Sequence, residues 1–404
     1  QLPLENPGPA GRSQTPLSAP HLHDKSPGPA SAFLPTPRHD SHRQSIRKAV
    51  MSSAHQGWPE PIVRVQSVSE TGAPVIPSRY VRAPEERPTA TEGNKEEDIP
   101  VVDMEDGSAA AAIGEACREW GFFQVVNHGV RAELMDAARD VWRQFFCLPM
   151  EAKQAYANSP ATYEGYGSRL GVEKGAVLDW SDYYFLHFLP LPFKDRNKWP
   201  ALPPSCRDTM EEYGTELVQL CGVLMRAVSA SLGLAEGRLL AAFGGEAEAG
   251  ACLRVNFYPR CPQPQLTLGL SPHSDPGGLT LLLPDPHVPG LQVRRGGAWV
   301  TVKPAPHAFI VNIADQIQVL SNARYRSVEH RVVVNPGMER LSLAFFYNPR
   351  SDLPMEPLPE LVPAGTPPLY GPMTFDQYRL FIRLRGPRGK SQVESLQSAC
   401  EFRS

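Results

Sequence analysis

The chain has 404 residues and a formal net charge of −3, enough length for one large domain or two smaller ones. That balance gives no bulk electrostatic drive toward nucleic acid or an anionic membrane, and no apolar run approaches the roughly 18 residues of a membrane span. Seven cysteines, at Cys117, Cys147, Cys206, Cys221, Cys252, Cys261 and Cys400, form no Cys-x-x-Cys pair. Such an odd, scattered set argues for reduced thiols in the cytoplasm or nucleus and against a disulfide framework or a zinc site.

Residues 1–57 are rich in Pro, Ser, His and Arg and nearly free of aromatics. A segment that buries so little cannot offset its ordering entropy, so it reads as a disordered or non-native extension. A transit peptide is the functional alternative. The globular part is expected to begin near Trp58-Pro59-Glu60-Pro61, with a soft charged stretch over Ala83–Asp98. Ile99–Asp103 reads as a first short strand, Ala109–Trp120 as a helix, and Gly121–Val126 as a buried strand ending at Asn127-His128-Gly129. Val130, Leu134, Ala138, Val141 and Phe145 recur at helical spacing, and Met210–Leu232 shows the same period.

After Gly250 the texture changes. Short β-rich runs follow, divided by Pro and Gly: Leu253–Tyr258, Leu279–Leu283, Leu291–Arg294, Trp299–Val302, Phe309–Asn312, His330–Val334 and Leu341–Tyr347. Runs of this length suggest antiparallel strands in a sandwich or barrel. The expected class is α+β, a helical N-terminal part over 58–245 packed on a double-sheet jelly roll over 246–387. Thr374–Leu384 reads as a last helix and residues 388–404 as a flexible tail.

His273-Ser274-Asp275 carries the chemistry. His and Asp two apart on a strand point to one face, and His330, on a later strand, completes a set of two histidines and one carboxylate. That set suits non-haem Fe(II), which keeps coordination positions open; Zn would prefer a tetrahedron and does no redox chemistry. Taken alone, His-x-Asp is a weak signal, and the plainer reading is a turn before Pro276-Gly277-Gly278. His128 reads as structural, and His187, His287 and His307 as ordinary. Ten residues after His330, Arg340 and Ser342 share a strand face, suited to a bidentate carboxylate partner and a helping hydroxyl. Arg254, Asn256 and Tyr258 share the polar face of another strand, turned either to solvent or to the iron.

These residues, with Gly121–Gly129 and Asn256–Pro264, make the chain resemble the plant 2-oxoglutarate- and Fe(II)-dependent dioxygenases over about residues 58–387. The resemblance implies a distorted, cupin-like double-stranded β-helix with iron on His273, Asp275 and His330. It also implies 2-oxoglutarate on Arg340 and Ser342, helped by Asn256 and Tyr258, O₂ as co-reactant, and ascorbate to keep the iron reduced. Trp58–Gln66, Tyr163–Leu170, Leu178–Phe185 and Phe375–Arg383 are similar to the jasmonate-induced oxygenase branch, which hydroxylates jasmonic acid. That likeness implies a substrate-carboxylate clamp of Arg254, Arg379 and Arg383. Arg379 and Arg383 are four apart on the last helix, with Phe375 one turn earlier; Phe346 shares the face of Arg340 and Ser342, and Phe185 is a further wall candidate. The plainer reading of the helix is a solvated basic face, since Arg385 and Arg388 follow. The expected partner is a small molecule, jasmonic acid, giving the 12-hydroxy product, with no nucleic acid, membrane or obligate protein partner. A flavonoid dioxygenase and a non-catalytic binder of small acids are the competing functions.

Overall fold

Alternating apolar and polar residues decide which way each strand of the frame faces. The computed structural model describes residues 63–88, 98–158, 164–168, 176–385 and 391–397. The expected extension 1–57, the start at Trp58–Pro61, and the tail apart from 391–397 lie outside these residues. The helices are α1 (Val65–Glu70), α2 (Ala109–Glu119), α3 (Ala132–Phe146), α4 (Met150–Gln154), α5 (Cys206–Ser231), α6 (Arg238–Ala242), α7 (Asp315–Leu320), α8 (Phe375–Arg385) and α9 (Ser391–Glu394). The strands are β1 (Val101–Asp103), β2 (Phe122–Val126), β3 (Gly165–Gly167), β4 (Asp182–Leu189), β5 (Gly250–Tyr258), β6 (Leu270–His273) and β7 (Leu279–Leu283). They continue with β8 (Leu291–Arg295), β9 (Ala298–Thr301), β10 (Phe309–Ile313), β11 (His330–Val332), β12 (Arg340–Asn348), β13 (Pro354–Met355) and β14 (Met373–Thr374).

Among the described residues the strands form an eight-stranded sheet in the order β1-β2-β10-β7-β12-β5-β4-β3, a four-stranded sheet β6-β11-β8-β9, and the small pair β13-β14. β1 and β2 run parallel; the other pairs are antiparallel. Residues before and after 246 share the large sheet, because β2 pairs with β10 and β4 with β5.

The large sheet has two unlike faces, as period-2 alternation requires. Leu253, Val255 and Phe257 of β5, Leu341, Leu343 and Phe345 of β12, and Leu279, Leu281 and Leu283 of β7 belong to the main core, with buried residues of α2, α3 and α5. Each fully buried aliphatic or aromatic side chain of this kind contributes about 1.5–3 kcal/mol. The residues between them turn to the other side, toward the small sheet.

Of the elements the periodicity did not show, β4 and α7 bear most on the site. β4 carries Tyr183, Tyr184, Phe185, Leu186, His187 and Phe188, large side chains on both faces, so no alternation shows. In α7 every residue from Asp315 to Leu320 is buried, polar ones included, so the helix has no solvent-facing side to reveal it. The strand expected to carry both His273 and Asp275 ends at His273; Asp275 stands in the turn beyond it.

Phe345 is fully buried on the core face of β12, its ring 5.6 Å from that of Phe188. Phe345→Ala is expected to cost about 3–5 kcal/mol, read as a lower urea midpoint with an unchanged m-value.

Candidate active site

The cavity lies between the two sheets, has a volume of about 50 Å³ and is partly open to solvent. Phe122, Leu270, Leu282, Leu291, Val332, Ala344 and Phe346 give it an apolar lining, and the polar groups converge from β5, β6, β11 and β12.

His273 and His330 are directly opposed in the β6–β11 pairing, their rings 4.2 Å apart. His273 Nε2 is 3.6 Å and His330 Nε2 3.8 Å from Asp275 Oδ1. The ligand atoms of the three residues lie within 4.8 Å of one another. Each imidazole is oriented from behind: His273 Nδ1 contacts the Ser271 carbonyl at 2.8 Å and His330 Nδ1 the Val328 carbonyl at 3.3 Å. A carbonyl only accepts, so each Nδ1 carries the proton and each Nε2 presents a lone pair inward. Burial, then the neighbouring His330, pushes the His273 imidazole down to about 4, which keeps it neutral and able to ligate.

Asp275 is divided in its duties. Its Oδ2 accepts from Thr280 Oγ1 at 2.7 Å and from Asn312 Nδ2 at 2.9 Å, which leaves Oδ1 toward the two histidines. Thr280 and Asn312 are themselves a cross-strand pair of β7 and β10. Burial alone would raise the Asp275 carboxyl, but His330 and His273, then Thr280 and Asn312, hold it below its ordinary value. Two imidazole nitrogens and one carboxylate oxygen fit a non-haem Fe(II) site, with no thiolate in the set.

On the facing wall β5 and β12 run side by side in the register Arg340↔Tyr258, Ser342↔Asn256, Ala344↔Arg254 and Phe346↔Cys252. Arg340 is buried, donates from Nη1 to Ser342 Oγ at 3.3 Å, and lies 5.2 Å over the Tyr258 ring. Burial pushes its guanidinium pKa down. Arg340 Nε and Asn256 Oδ1 are buried without a hydrogen-bond partner. A buried cation with an unmatched donor is costly unless an anion meets it, so this end of the wall fits a carboxylate. Room for the arginine depends on Gly290, where a Cβ would lie 2.9 Å from the Val333 carbonyl and 3.1 Å from Arg340 Cδ.

Arg254 stands further along the same wall, its guanidinium 4.6 Å over the Tyr183 ring and its Nε also buried without a partner. Ala344, its small cross-strand neighbour, lines the same cavity. Phe346 lines the cavity as expected. Phe185, Phe375 and Arg379 do not. Phe185 flanks Arg254 on β4 but packs edge-on to His187, ring centroids 5.1 Å apart. Phe375 is buried at the foot of α8, and Arg379 lies over its ring at 5.2 Å while bound to Asp376 at 2.7 Å. Arg379 is turned aside by these two contacts; the Arg383 side chain lies outside the described residues. Periodicity missed Thr280, Asn312 and Tyr183. The first two had a signal, since each is the polar residue in an otherwise apolar buried strand, and such a group needs a partner. His128 is structural: its Nε2 meets the His307 carbonyl at 2.9 Å and its Nδ1 accepts from Val130 N at 3.2 Å.

This geometry has a known class. Residues 249–349 match the 2OG-Fe(II) oxygenase superfamily, and residues 99–202 the N-terminal region of non-haem dioxygenases in morphine synthesis. The chain belongs to the 2-oxoglutarate- and Fe(II)-dependent oxygenases, and its cofactor and cosubstrate are Fe(II) and 2-oxoglutarate. It is 64 % identical to jasmonate-induced oxygenase 2 of Arabidopsis thaliana, over 84 % of this chain and 94 % of that one. It is 42 % identical to flavanone 3-dioxygenase 2 of Oryza sativa subsp. japonica, over 75 % of this chain and 89 % of the relative. A crystal structure of JOX2 in complex with 2OG, Fe and JA is similar at 64 % identity and a TM-score of 0.80, covering 84 % of this chain and 99 % of that one. The chain is an enzyme with a small-molecule substrate, and no described helix is long and apolar enough to cross a membrane.

The double substitution Thr280→Val, Asn312→Leu frees Asp275 Oδ2 while leaving all three ligand side chains in place. Loss of such a supporting pair is expected to weaken Fe(II) binding by about 10–100-fold, measured by anaerobic Fe(II) titration. Unchanged affinity would show that the pair does not orient the carboxylate.

Proposed function

We propose that the enzyme hydroxylates jasmonic acid on its pentenyl side chain, giving 12-hydroxyjasmonic acid and lowering jasmonate signalling in defence. The observation that carries this reading is Arg254, a half-buried side chain whose Nε is buried without a hydrogen-bond partner, on the wall that faces the metal set. It is supported by the 64 % identity to a protein whose crystal structure holds JA with 2OG and Fe. Arg254 is four residues from Tyr258 on one strand, about 13 Å at 3.3 Å per residue. Arg340, opposite Tyr258, is therefore far enough away for two carboxylates to occupy the wall together.

In this reading His273, Asp275 and His330 hold the iron. Arg340 and Ser342, with Asn256 and Tyr258, hold the far carboxylate of 2-oxoglutarate. Bound together, iron and 2-oxoglutarate supply the oxidising power: O₂ is reduced, 2-oxoglutarate leaves as succinate and CO₂, and one oxygen atom enters a C–H bond of the substrate. Arg254 orients the substrate by its carboxylate, and Phe346 with Leu282 and Leu291 excludes water from its chain. Arg379 and Arg383 complete the clamp from α8. The Arg379–Asp376 pair does not forbid this, because a half-exposed i,i+3 pair is worth at most about 1 kcal/mol. Phe375 supports Arg379 from beneath, and Phe185 supports Arg254 from the side. Ascorbate keeps the iron reduced between turnovers. The described cysteines are all unpaired, which supports a reducing compartment, cytoplasm or nucleus.

A flavonoid substrate is neutral and has no use for Arg254. Assay with Fe(II), 2-oxoglutarate and ascorbate, followed by mass spectrometry, should give a singly hydroxylated product from jasmonic acid and none from flavanones or dihydroflavonols. Jasmonoyl-isoleucine, which moves the charge outward, should turn over more slowly than jasmonic acid; equal rates would refute the clamp. Arg254→Ala should raise KM for jasmonic acid by about 10–100-fold, the worth of a charge-assisted hydrogen bond, with 2-oxoglutarate affinity unchanged.

A further inference from the structure

Between the metal site and the C-terminal helix lies a buried polar junction that neither iron nor cosubstrate binding requires. At its centre is Asp315, the first residue of α7, which is 1 % exposed. Its Oδ2 accepts from Tyr378 Oη of α8 at 2.7 Å and from Ser274 Oγ at 3.2 Å. Its backbone N–H donates to the Asp275 carbonyl at 2.9 Å. Ser274 is the residue between the two metal-site residues His273 and Asp275. The neighbours of Asp315 strap the same turn: Ala314 N–H to the Gly278 carbonyl at 2.9 Å and Gln316 N–H to the Gly277 carbonyl at 2.8 Å. Gln316 Nε2 adds a bond to the Pro276 carbonyl at 3.1 Å.

On the other side, the Tyr378 hydroxyl of α8 lies within an apolar cluster of Val319, Tyr370, Val393 and Leu396. Were this junction needed for packing alone, an apolar residue of similar size would serve it at least as well as a buried carboxylate. The Ser327 hydroxyl also meets the carboxylate, so three hydroxyls converge on one buried acid, more than packing alone explains. What the carboxylate adds is direction. It links a residue one position before Arg379 to a residue one position before Asp275.

We propose that Asp315 and Tyr378 are positioning residues that set the C-terminal helix, with Arg379 and Arg383, at a fixed place relative to the metal-binding turn. The proposal rests on the reading of that helix as part of the substrate clamp. It makes the substrate carboxylate and the oxidising centre parts of one rigid frame, so that the reacting carbon stays in place while 2-oxoglutarate is consumed.

Tyr378→Phe removes only the hydroxyl. Its expected effects are a rise of about tenfold in KM for jasmonic acid and a higher ratio of succinate to hydroxylated product, because a misplaced substrate leaves cosubstrate oxidation uncoupled. KM for 2-oxoglutarate and Fe(II) affinity should stay within twofold of wild type. Asp315→Asn keeps an acceptor oxygen and should largely preserve coupling, whereas Asp315→Leu should lose it. An unchanged KM and coupling ratio in Tyr378→Phe would overturn the proposal. So would equal losses in jasmonate, 2-oxoglutarate and iron binding, the mark of general loosening. Amide hydrogen exchange provides a readout that needs no substrate: Tyr378→Phe should speed exchange both in α8 and in the turn 274–278, and an effect confined to α8 would overturn the link. If wild type leaves jasmonic acid unchanged, the proposed substrate fails while the exchange result still decides the mechanical link.

Discussion

The site depends on one carboxylate being shared correctly. Asp275 must give one oxygen to the space between two histidines and must not give the other. Thr280 and Asn312 enforce this by occupying Oδ2, and the sheet enforces them in turn, since they are direct partners across β7 and β10. The metal set is thus fixed by sheet register: a slip of one residue in either strand would carry that strand's donor to the core face.

The same alternation makes one sheet serve two environments. Its core face is a continuous apolar surface against the helices, and its other face is a ladder of polar residues set at two-residue steps. Arg340, Ser342, Asn256, Tyr258 and Arg254 are placed by rigid paired backbone. This matters for a site that, in the proposed function, holds two acids apart. The price of that cleft is a set of buried donors left unmatched, on Arg340 and Arg254.

Much of this was legible in the residues. The strands after Gly250 were readable because each alternates or is framed by Pro and Gly, and most of them keep their expected bounds within a residue or two. His273, Asp275, His330, Arg340 and Ser342 were readable because their chemistry and spacing are restrictive together. β4 and α7 were not, since burial on all sides erases periodicity. The direction of Arg379 was not readable either. Helical spacing places it on a face with Arg383, but says nothing of Asp376 three residues earlier, which competes for the same guanidinium. The Asp315 junction had no sequence signal, because its members, Ser274, Asp315 and Tyr378, are separated by dozens of residues and join only through tertiary packing.

The order of strands in the large sheet also bears on where such a chain could be cut. Its central strands β10, β7, β12 and β5 are flanked on one side by β2 and β1, and on the other by β4 and β3. Both sets of flanking strands come from the residues before 246. A fragment beginning at 246 would retain all three metal-site residues and both Arg340 and Ser342, yet expose the raw hydrogen-bonding edges of β10 and β5. Open edges of that kind pair with other chains and aggregate. The N-terminal half therefore acts as a selvedge: it supplies none of the metal-set residues and yet determines whether the catalytic cloth can exist in solution without fraying into its neighbours.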